Sequence, residues 1–470
     1  MTIAFCISEA FPFAKTGGLA DVGGSLPSAL EKLKMKVILF LPRYKGIDIH
    51  HKNIEKIDDS FFKTTLGKDV DVYFVENKYF FERDGLYGDS SGDYPDNLER
   101  YQYFCFRVLK ILKQLNIKTD IVHCHDWQTS LLAVYLKEMY GRDPFYAKTK
   151  TLLTIHNLSF QGIFPKEKFP KLQLNDRVWN DGTFEFYDKI NLLKAGIQYS
   201  DAVSTVSKQY AKEIQTKEFG CGLEGVLRSK KKNIVGILNG LDEDKWNPQR
   251  DHFLKSKYSA KNFEKAKLEN KIDLQRRLGF TAFEGTPLFG FVGRLTEQKG
   301  IDLILECMDE IMNMNVQVIV QGVGEERFSR KLRDAAVRNP QKLAVHLEFD
   351  EEMAHRIYAG SDIFLMPSKF EPCGLGQMIS LRYGTIPLVF KTGGLDDTMK
   401  AFDPSQKDGN GFVFERYQKE AFLQTMKKAV EFFHQKDLFQ RLIKNAFRAH
   451  FPWSQSAREY QRIYQCLLSQ

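Results

Sequence analysis

An α/β fold of two Rossmann-like, doubly wound domains facing a central cleft is expected for this chain on three grounds. Apolar runs of strand length alternate with segments whose apolar residues stand three and four apart. That alternation breaks at a polar stretch near the middle and then restarts. The pentapeptide K-T-G-G-L occurs twice, at 15–19 and 391–395, each time after a strand-like run and before a helix-like one. Strand, helix, strand in repetition means a largely parallel sheet with helices on both faces. A length of 470 residues also exceeds what one hydrophobic core usually serves.

In order, the expected strands of the first domain are 2–9, 36–42, 71–76, 120–125, 149–156, 201–206 and 233–238, with helical spacing over 98–115 and 127–140. From 241 to 285 the composition shifts to Lys, Asn, Asp and Glu, with a helix expected over 262–278. The domain boundary is set at the start of that stretch, giving domains 1–242 and 243–452. The second domain continues with strands 287–292, 316–321, 343–349, 362–366, 386–390 and 411–414. A final helical pattern, 454–469, is expected to cross back to the first domain.

Composition narrows the class. With 43% hydrophobic and 27% charged residues the chain reads as an ordinary globular protein. No apolar run approaches a membrane span, and residues 1–13 lack the features of a signal peptide and read as a first buried strand. Seven cysteines with no Cys-x-x-Cys pair argue against a disulfide framework or structural zinc and fit a reducing, cytoplasmic setting. The net charge of +8 sets 68 basic against 60 acidic residues, and the one compact basic run, 230–232, reads as a solvated loop, so no nucleic-acid partner is expected.

The candidate site residues cluster at strand ends, where open sheets of this kind take their ligands. Adjacent glycines let backbone amides approach an anion, a helix N-terminus favours negative charge, and a lysine adds a mobile cation. Lys15, Gly17 and Gly18 of the first pentapeptide and Thr392 of the second are therefore candidate substrate contacts. A Gly-Gly pair alone also makes a tight turn; two copies, one per half, favour the ligand reading. The loop F-V-G-R-L-T-E-Q-K-G, 291–300, puts Arg294 and Lys299 together, a guanidinium and an ammonium suited to a diphosphate. In S-K-F-E-P-C-G-L-G-Q, 368–377, Glu371 can accept sugar hydroxyls, and the amides of Gly374, Leu375 and Gly376 can face phosphate. Cys373 beside them is either a reactive thiol or a small packed residue.

The run V-H-C-H-D-W-Q, 122–128, invites a metal assignment, but on a strand His123 and His125 point one way and Cys124 the other, so no metal is expected. Asp126 reads as a polar contact or helix cap and Trp127 as a platform for a sugar ring. His156 and Asn157 end another strand. In V-Q-G-V-G-E-E-R, 320–327, Arg327 stands where a dinucleotide fingerprint needs its third glycine, which disfavours a nicotinamide or flavin enzyme.

With these residues placed, the chain resembles the bacterial glycogen synthase and plant starch synthase family over nearly its whole length. The motifs that carry the resemblance are K-T-G-G-L-A-D-V, G-D-Y-P-D-N at 92–97, H-x-H-D-W, T-I-H-N, L-L-K-A-G-I at 192–197, N-G-L-D at 239–242, G-R-L-T-x-Q-K-G, S-K-F-E-P-C-G-L and the second T-G-G-L. The resemblance implies a retaining glycosyltransferase of the B type. It implies transfer of glucose from ADP-glucose to the non-reducing end of an α-1,4-glucan, with no cofactor and no metal. By the same resemblance Lys15, Arg294 and Lys299 hold the diphosphate and Glu371 the glucose hydroxyls. Asp21, Asp126, His156 and Asn239 fall on the sugar or acceptor side, and Tyr94 contacts substrate. Glucan phosphorylase shares the architecture but needs lysine-bound pyridoxal phosphate, and a silent glucan binder would have no need of these charges. Hinge closure is expected, since the assigned groups lie on two domains.

Several positions depart from the family pattern. Gly376 stands for the commoner Thr, Phe349 for Tyr, Glu325 for Asp and Cys124 for Ala, while Ile379 occupies a position that is a carboxylate in the wider superfamily. The changes at Gly376, Phe349 and Glu325 border the expected nucleotide pocket and bear on base preference and affinity more than on reaction type, while Cys124 is expected to have little consequence and Ile379 is in keeping with the glycogen synthase branch.

Overall fold

Among the described residues nine strands form the sheet of the first unit, in the order Ile234–Gly236, Ala202–Thr205, Lys150–Ile155, Ile121–His125, Thr2–Cys6, Lys36–Pro42, Val70–Val75, Phe61–Leu66, Glu55–Asp58. The computed structural model describes residues 1–47, 53–89, 91–230 and 234–469. They fall into two units, Met1–Gly240 with Trp453–Gln470, and Leu241–Pro452. Lys231 and Lys232 of the basic run, and Asn233 at the head of the expected strand 233–238, lie outside the described residues.

Pairing in the first unit is parallel from Ile234–Gly236 through Val70–Val75 and antiparallel beyond it. Counted in chain order, the parallel strands run 3-2-1-4-5-6-7 across the sheet, the doubly wound order of a Rossmann fold with one strand added. Thr2–Cys6 sits at the centre, with Ile3 opposite both Val37 and Ile121. A central strand covered on both faces must be apolar throughout, and Ile3, Ala4, Phe5 and Cys6 are all fully buried. The antiparallel hairpin of Glu55–Asp58 and Phe61–Leu66 was not expected from the sequence. It is an edge feature, and an edge strand can be polar on its open side: Glu55, Lys56 and Ile57 are exposed. A small sheet of Ile163–Pro165, Lys189–Asn191 and Glu185–Phe186 was likewise not expected.

The second unit carries six parallel strands in the order Leu343–His346, Gln317–Gln321, Leu288–Val292, Ile363–Met366, Ile386–Phe390, Phe412–Phe414. In chain order this is 3-2-1-4-5-6, the Rossmann arrangement without addition. The expected strands 287–292, 316–321, 362–366, 386–390 and 411–414 each lie within a residue of the observed ones. The expected strand 343–349 stops at His346, and Asp350 caps the next helix, Glu351–Gly360, by accepting from Met353 N at 3.0 Å. The helix expected over 262–278 runs Phe263–Arg277, and the final one runs Trp453–Leu468.

In each unit the order reverses at one gap between strands. In the first it lies between Thr2–Cys6 and Ile121–His125, in the second between Leu288–Val292 and Ile363–Met366. Loops diverge there, and a crevice forms outside the carboxyl ends of the strands.

Candidate active site

In the second unit both strands that flank the reversal run into charged loops. Lys299 Nζ lies 2.5 Å from Glu371 Oε2, and Ser368 Oγ donates to the same oxygen at 3.1 Å. Glu371 is 6% exposed, whereas the Lys299 side chain keeps 21% of its surface. A buried carboxylate needs such partners, because leaving it unpaired costs several kcal/mol. The backbone sets the pair: Lys369 N donates to Gln298 O at 2.9 Å, joining the two loops. Gly300, at φ 77, passes so close that a Cβ there would meet Pro367 O at 2.1 Å. Arg294 is exposed on the same loop and donates to Gln298 Oε1 at 3.1 Å.

Cys373, Gly374, Leu375 and Gly376 lead into the helix Gly376–Arg382. Cys373 is 5% exposed, which favours the packed residue over the reactive thiol. Gly374 takes φ 75, a conformation open to glycine. Gln377 Nε2 donates to the carbonyls of Cys373 and Gly374 at 3.1 Å each, fixing the turn.

The second pentapeptide does not form an open anion nest. Gly394 N donates to Glu371 O at 2.9 Å, and a Cβ on Gly394 would meet Cys373 O at 2.0 Å, so its glycine serves close packing against the Glu371 loop. Lys391 pairs with Glu415 at 2.9 Å, and Thr392 is buried ahead of the helix Gly393–Thr398. The Gly-x-Gly at 322–324 has a similar use: Cβ atoms there would strike Gly293 O at 1.8 Å and Leu295 O at 2.3 Å.

In the first unit the corresponding reversal gathers Glu9, Asp126 and His156. Asp126, buried and at φ 56, accepts from His156 N at 2.7 Å through Oδ1. Burial pushes its carboxyl up to about 7, against the pull of the His156 and Asn157 amides. Burial lowers His156 to about 3 and holds His123 and His125 below the ordinary imidazole range. All three rings are therefore neutral at pH 7. His125 Nδ1 meets His156 Nε2 at 2.9 Å, so one ring donates and the other accepts. His125 rests on His123, centroids 4.1 Å apart, and His123 is held by Tyr464 at 2.8 Å and Thr154 at 2.7 Å.

Lys15 Nζ pairs with Asp21 Oδ1 at 2.6 Å; both side chains keep about a quarter of their surface. Gly17 is the N-cap of the helix that Gly18 begins, Gly18–Glu31. The Thr16 and Gly17 amides are not open to a phosphate, because both donate to Glu9 Oε2, at 2.5 and 3.2 Å. The sequence does not single out Glu9, whose one signal is an acid at the end of the expected apolar strand 2–9. Tyr94 N donates to Tyr87 O at 2.9 Å, and the Tyr94 ring lies against the guanidinium groups of Arg83 and Arg100 at 4.7 and 5.0 Å. Asn157 Oδ1 accepts from Ser159 N, and Asn239 Oδ1 is buried without a hydrogen-bond partner. Trp127 is no exposed sugar platform: it is 8% exposed, packs edge-on to Tyr101 at 5.0 Å, and leaves Gly162 no room for a Cβ. Among the described residues no group of three His, Cys, Asp or Glu side chains is placed to hold a metal ion.

Residues 2–229 match the family described as starch synthase catalytic domain, and residues 277–449 match glycosyl transferases group 1. The chain is 43% identical to the glycogen synthase of Thermosipho melanesiensis, with 100% of this chain and 99% of that one covered. The glycogen synthase of Geotalea uraniireducens is also 43% identical, at the same coverage. The chain belongs to the glycogen synthase family. It is a glycosyltransferase of the glycogen and starch synthase type, as its motifs led one to expect. The catalytic domain of starch synthase IV from Arabidopsis thaliana, solved bound to ADP and acarbose, matches with a TM-score of 0.91 and 31% identity over 100% of this chain and 99% of that one. The fold is accordingly the glycosyltransferase B type, and among the described residues no helix is long and apolar enough to cross a membrane.

Proposed function

We propose that this synthase takes glucose from ADP-glucose and adds it to the non-reducing end of an α-1,4-glucan with retention at the anomeric carbon. The observation that carries the reading is Lys299 against Glu371, with Arg294 on the same loop, at the order reversal of the second unit. A cation pair beside a buried carboxylate is what a sugar diphosphate asks for. The adenine donor is supported by the Arabidopsis relative, whose structure holds ADP.

On this reading Lys15, Arg294 and Lys299 neutralise the charge that gathers on the β-phosphate as the anomeric bond breaks, with the turn at Cys373, Gly374, Leu375 and Gly376 and Thr392 alongside. Glu371 holds glucose hydroxyls and steadies the developing oxocarbenium ion. Asp21, Asp126, His156, Asn157 and Asn239 serve the sugar and the acceptor, with Tyr94 in contact with substrate. The acceptor hydroxyl attacks on the face that ADP leaves, forming the new C–O bond, and its proton passes to the departing phosphate oxygen. No metal or organic cofactor enters, and the setting is cytoplasmic.

Side-by-side transfer assays with ADP-glucose and UDP-glucose, glycogen as acceptor, test the proposal. Incorporation is expected from ADP-glucose with the higher kcat/KM. No incorporation from either donor would defeat it.

A further inference from the structure

We infer that Glu9 is a positioning residue whose carboxylate closes the loop 10–17 into a ring and thereby fixes where Lys15 stands. The inference rests on the role proposed above for Lys15. Glu9 follows the central strand Thr2–Cys6 and is 3% exposed. Its Oε2 accepts from the amides of Thr16 and Gly17, and its Oε1 accepts from Thr16 Oγ1 and Tyr87 OH, each at 2.7 Å. Ser8 Oγ meets the same tyrosine oxygen at 2.8 Å. Both carboxylate oxygens are thus spent within the chain, and neither is left for a ligand.

The main chain of Glu9 is held as firmly as its side chain. The helix Gly18–Glu31 passes so close that a Cβ at Gly23 would meet Glu9 O at 2.4 Å, and one at Gly24 would meet Phe11 O at 2.6 Å. Both ends of the loop are therefore anchored, one by the glycines of the helix and the other by the Glu9 carboxylate. Lys15 is the residue directly before the clamped Thr16, and its ammonium points outward to Asp21. A cation that acts on a leaving group must be held within a fraction of an ångström, and a clamp one residue away supplies that. The loop offers the donor the Lys15 ammonium, while the amides of Thr16 and Gly17 are already engaged by Glu9.

A double-mutant cycle between Glu9 and Lys15 tests this, with kcat/KM for ADP-glucose as the readout and melting temperature measured on each variant. Lys15→Ala and Glu9→Ala are each expected to lower kcat/KM by about 100-fold, and the double variant to fall no lower than Lys15→Ala alone. Glu9→Gln keeps an acceptor for the two amides, while Thr16 Oγ1 and Tyr87 OH can accept from its amide group. It is expected to retain activity within about threefold. If Glu9→Ala does not fold, the cycle is run with Glu9→Asp, which is too short to reach both amides. Effects that multiply in the double variant would overturn the inference alone, as would a Glu9→Gln variant as damaged as Glu9→Ala. A silent Lys15→Ala would instead overturn the role of Lys15 itself, and the inference with it.

Discussion

Lys299 Nζ stands 2.5 Å from Glu371 Oε2, and the two residues come from loops that follow different strands of one Rossmann sheet. The pair is a resting arrangement in which each group satisfies the other. Substrate would change its balance, since a diphosphate competes for the lysine and a sugar hydroxyl for the carboxylate. Glu371→Gln keeps the shape and removes the charge. It is expected to lower kcat by about 100-fold or more with a smaller change in KM, read by glucosyl incorporation into glycogen. A kcat within about threefold of the parent would show that the charge is not used.

Gly300 sets the distance between those loops. Its φ of 77 and the 2.1 Å approach of a Cβ to Pro367 O leave no relief for a side chain, since the obstacle is backbone. Gly300→Ala is expected to destabilise by about 1–3 kcal/mol and to lower activity beyond what the lost stability explains. Urea unfolding and assays well below the melting temperature check this, and an unchanged midpoint would refute it.

Asp126 gives the stability a pH dependence. Burial pushes its carboxyl up to about 7 in the folded state from an ordinary 3.8, so the folded state holds its proton after the unfolded state has released it. A raised value favours the folded state fully below pH 4, and that contribution is lost as pH rises through 7. Asp126→Asn still offers an acceptor to His156 N and has no charge to bury. Its stability relative to the parent is expected to grow between pH 4 and pH 8 by up to about 4 kcal/mol. Denaturant titrations at both pH values measure it; a difference that does not change with pH would contradict the assignment.

Tyr464 anchors the histidine row from the final helix. Tyr464→Phe removes the partner of His123 Nδ1 in a fully buried place and is expected to cost about 1–3 kcal/mol, read by urea unfolding. A change below about 0.5 kcal/mol would mean the ring finds another partner.

Much of the fold was legible because its central strands are buried on both faces and so appear as unbroken apolar runs, as in K-V-I-L-F-L-P at 36–42. The hairpin of Glu55–Asp58 and Phe61–Leu66 was not, because an edge strand has an open side that carries charge. Arg294, Lys299 and Glu371 could be picked out because charge at a strand end has few structural uses. The identical pentapeptides misled in part: one has its amides taken by Glu9 and the other packs its glycine on the Glu371 loop. Sequence alone gives no sign of which carboxylate will fill a nest. Trp127 failed as a sugar platform for a related reason. The small Gly162 that receives its ring lies 35 positions away along the chain.

ADP titration calorimetry on the parent, Lys299→Ala and Glu371→Gln asks most directly whether the paired loops of the second unit take the nucleotide diphosphate. ADP affinity is expected to fall by about tenfold or more in Lys299→Ala and to stay within about threefold in Glu371→Gln, while both lose glucosyl transfer. Equal ADP affinity in all three proteins would contradict the assignment of the donor to this site.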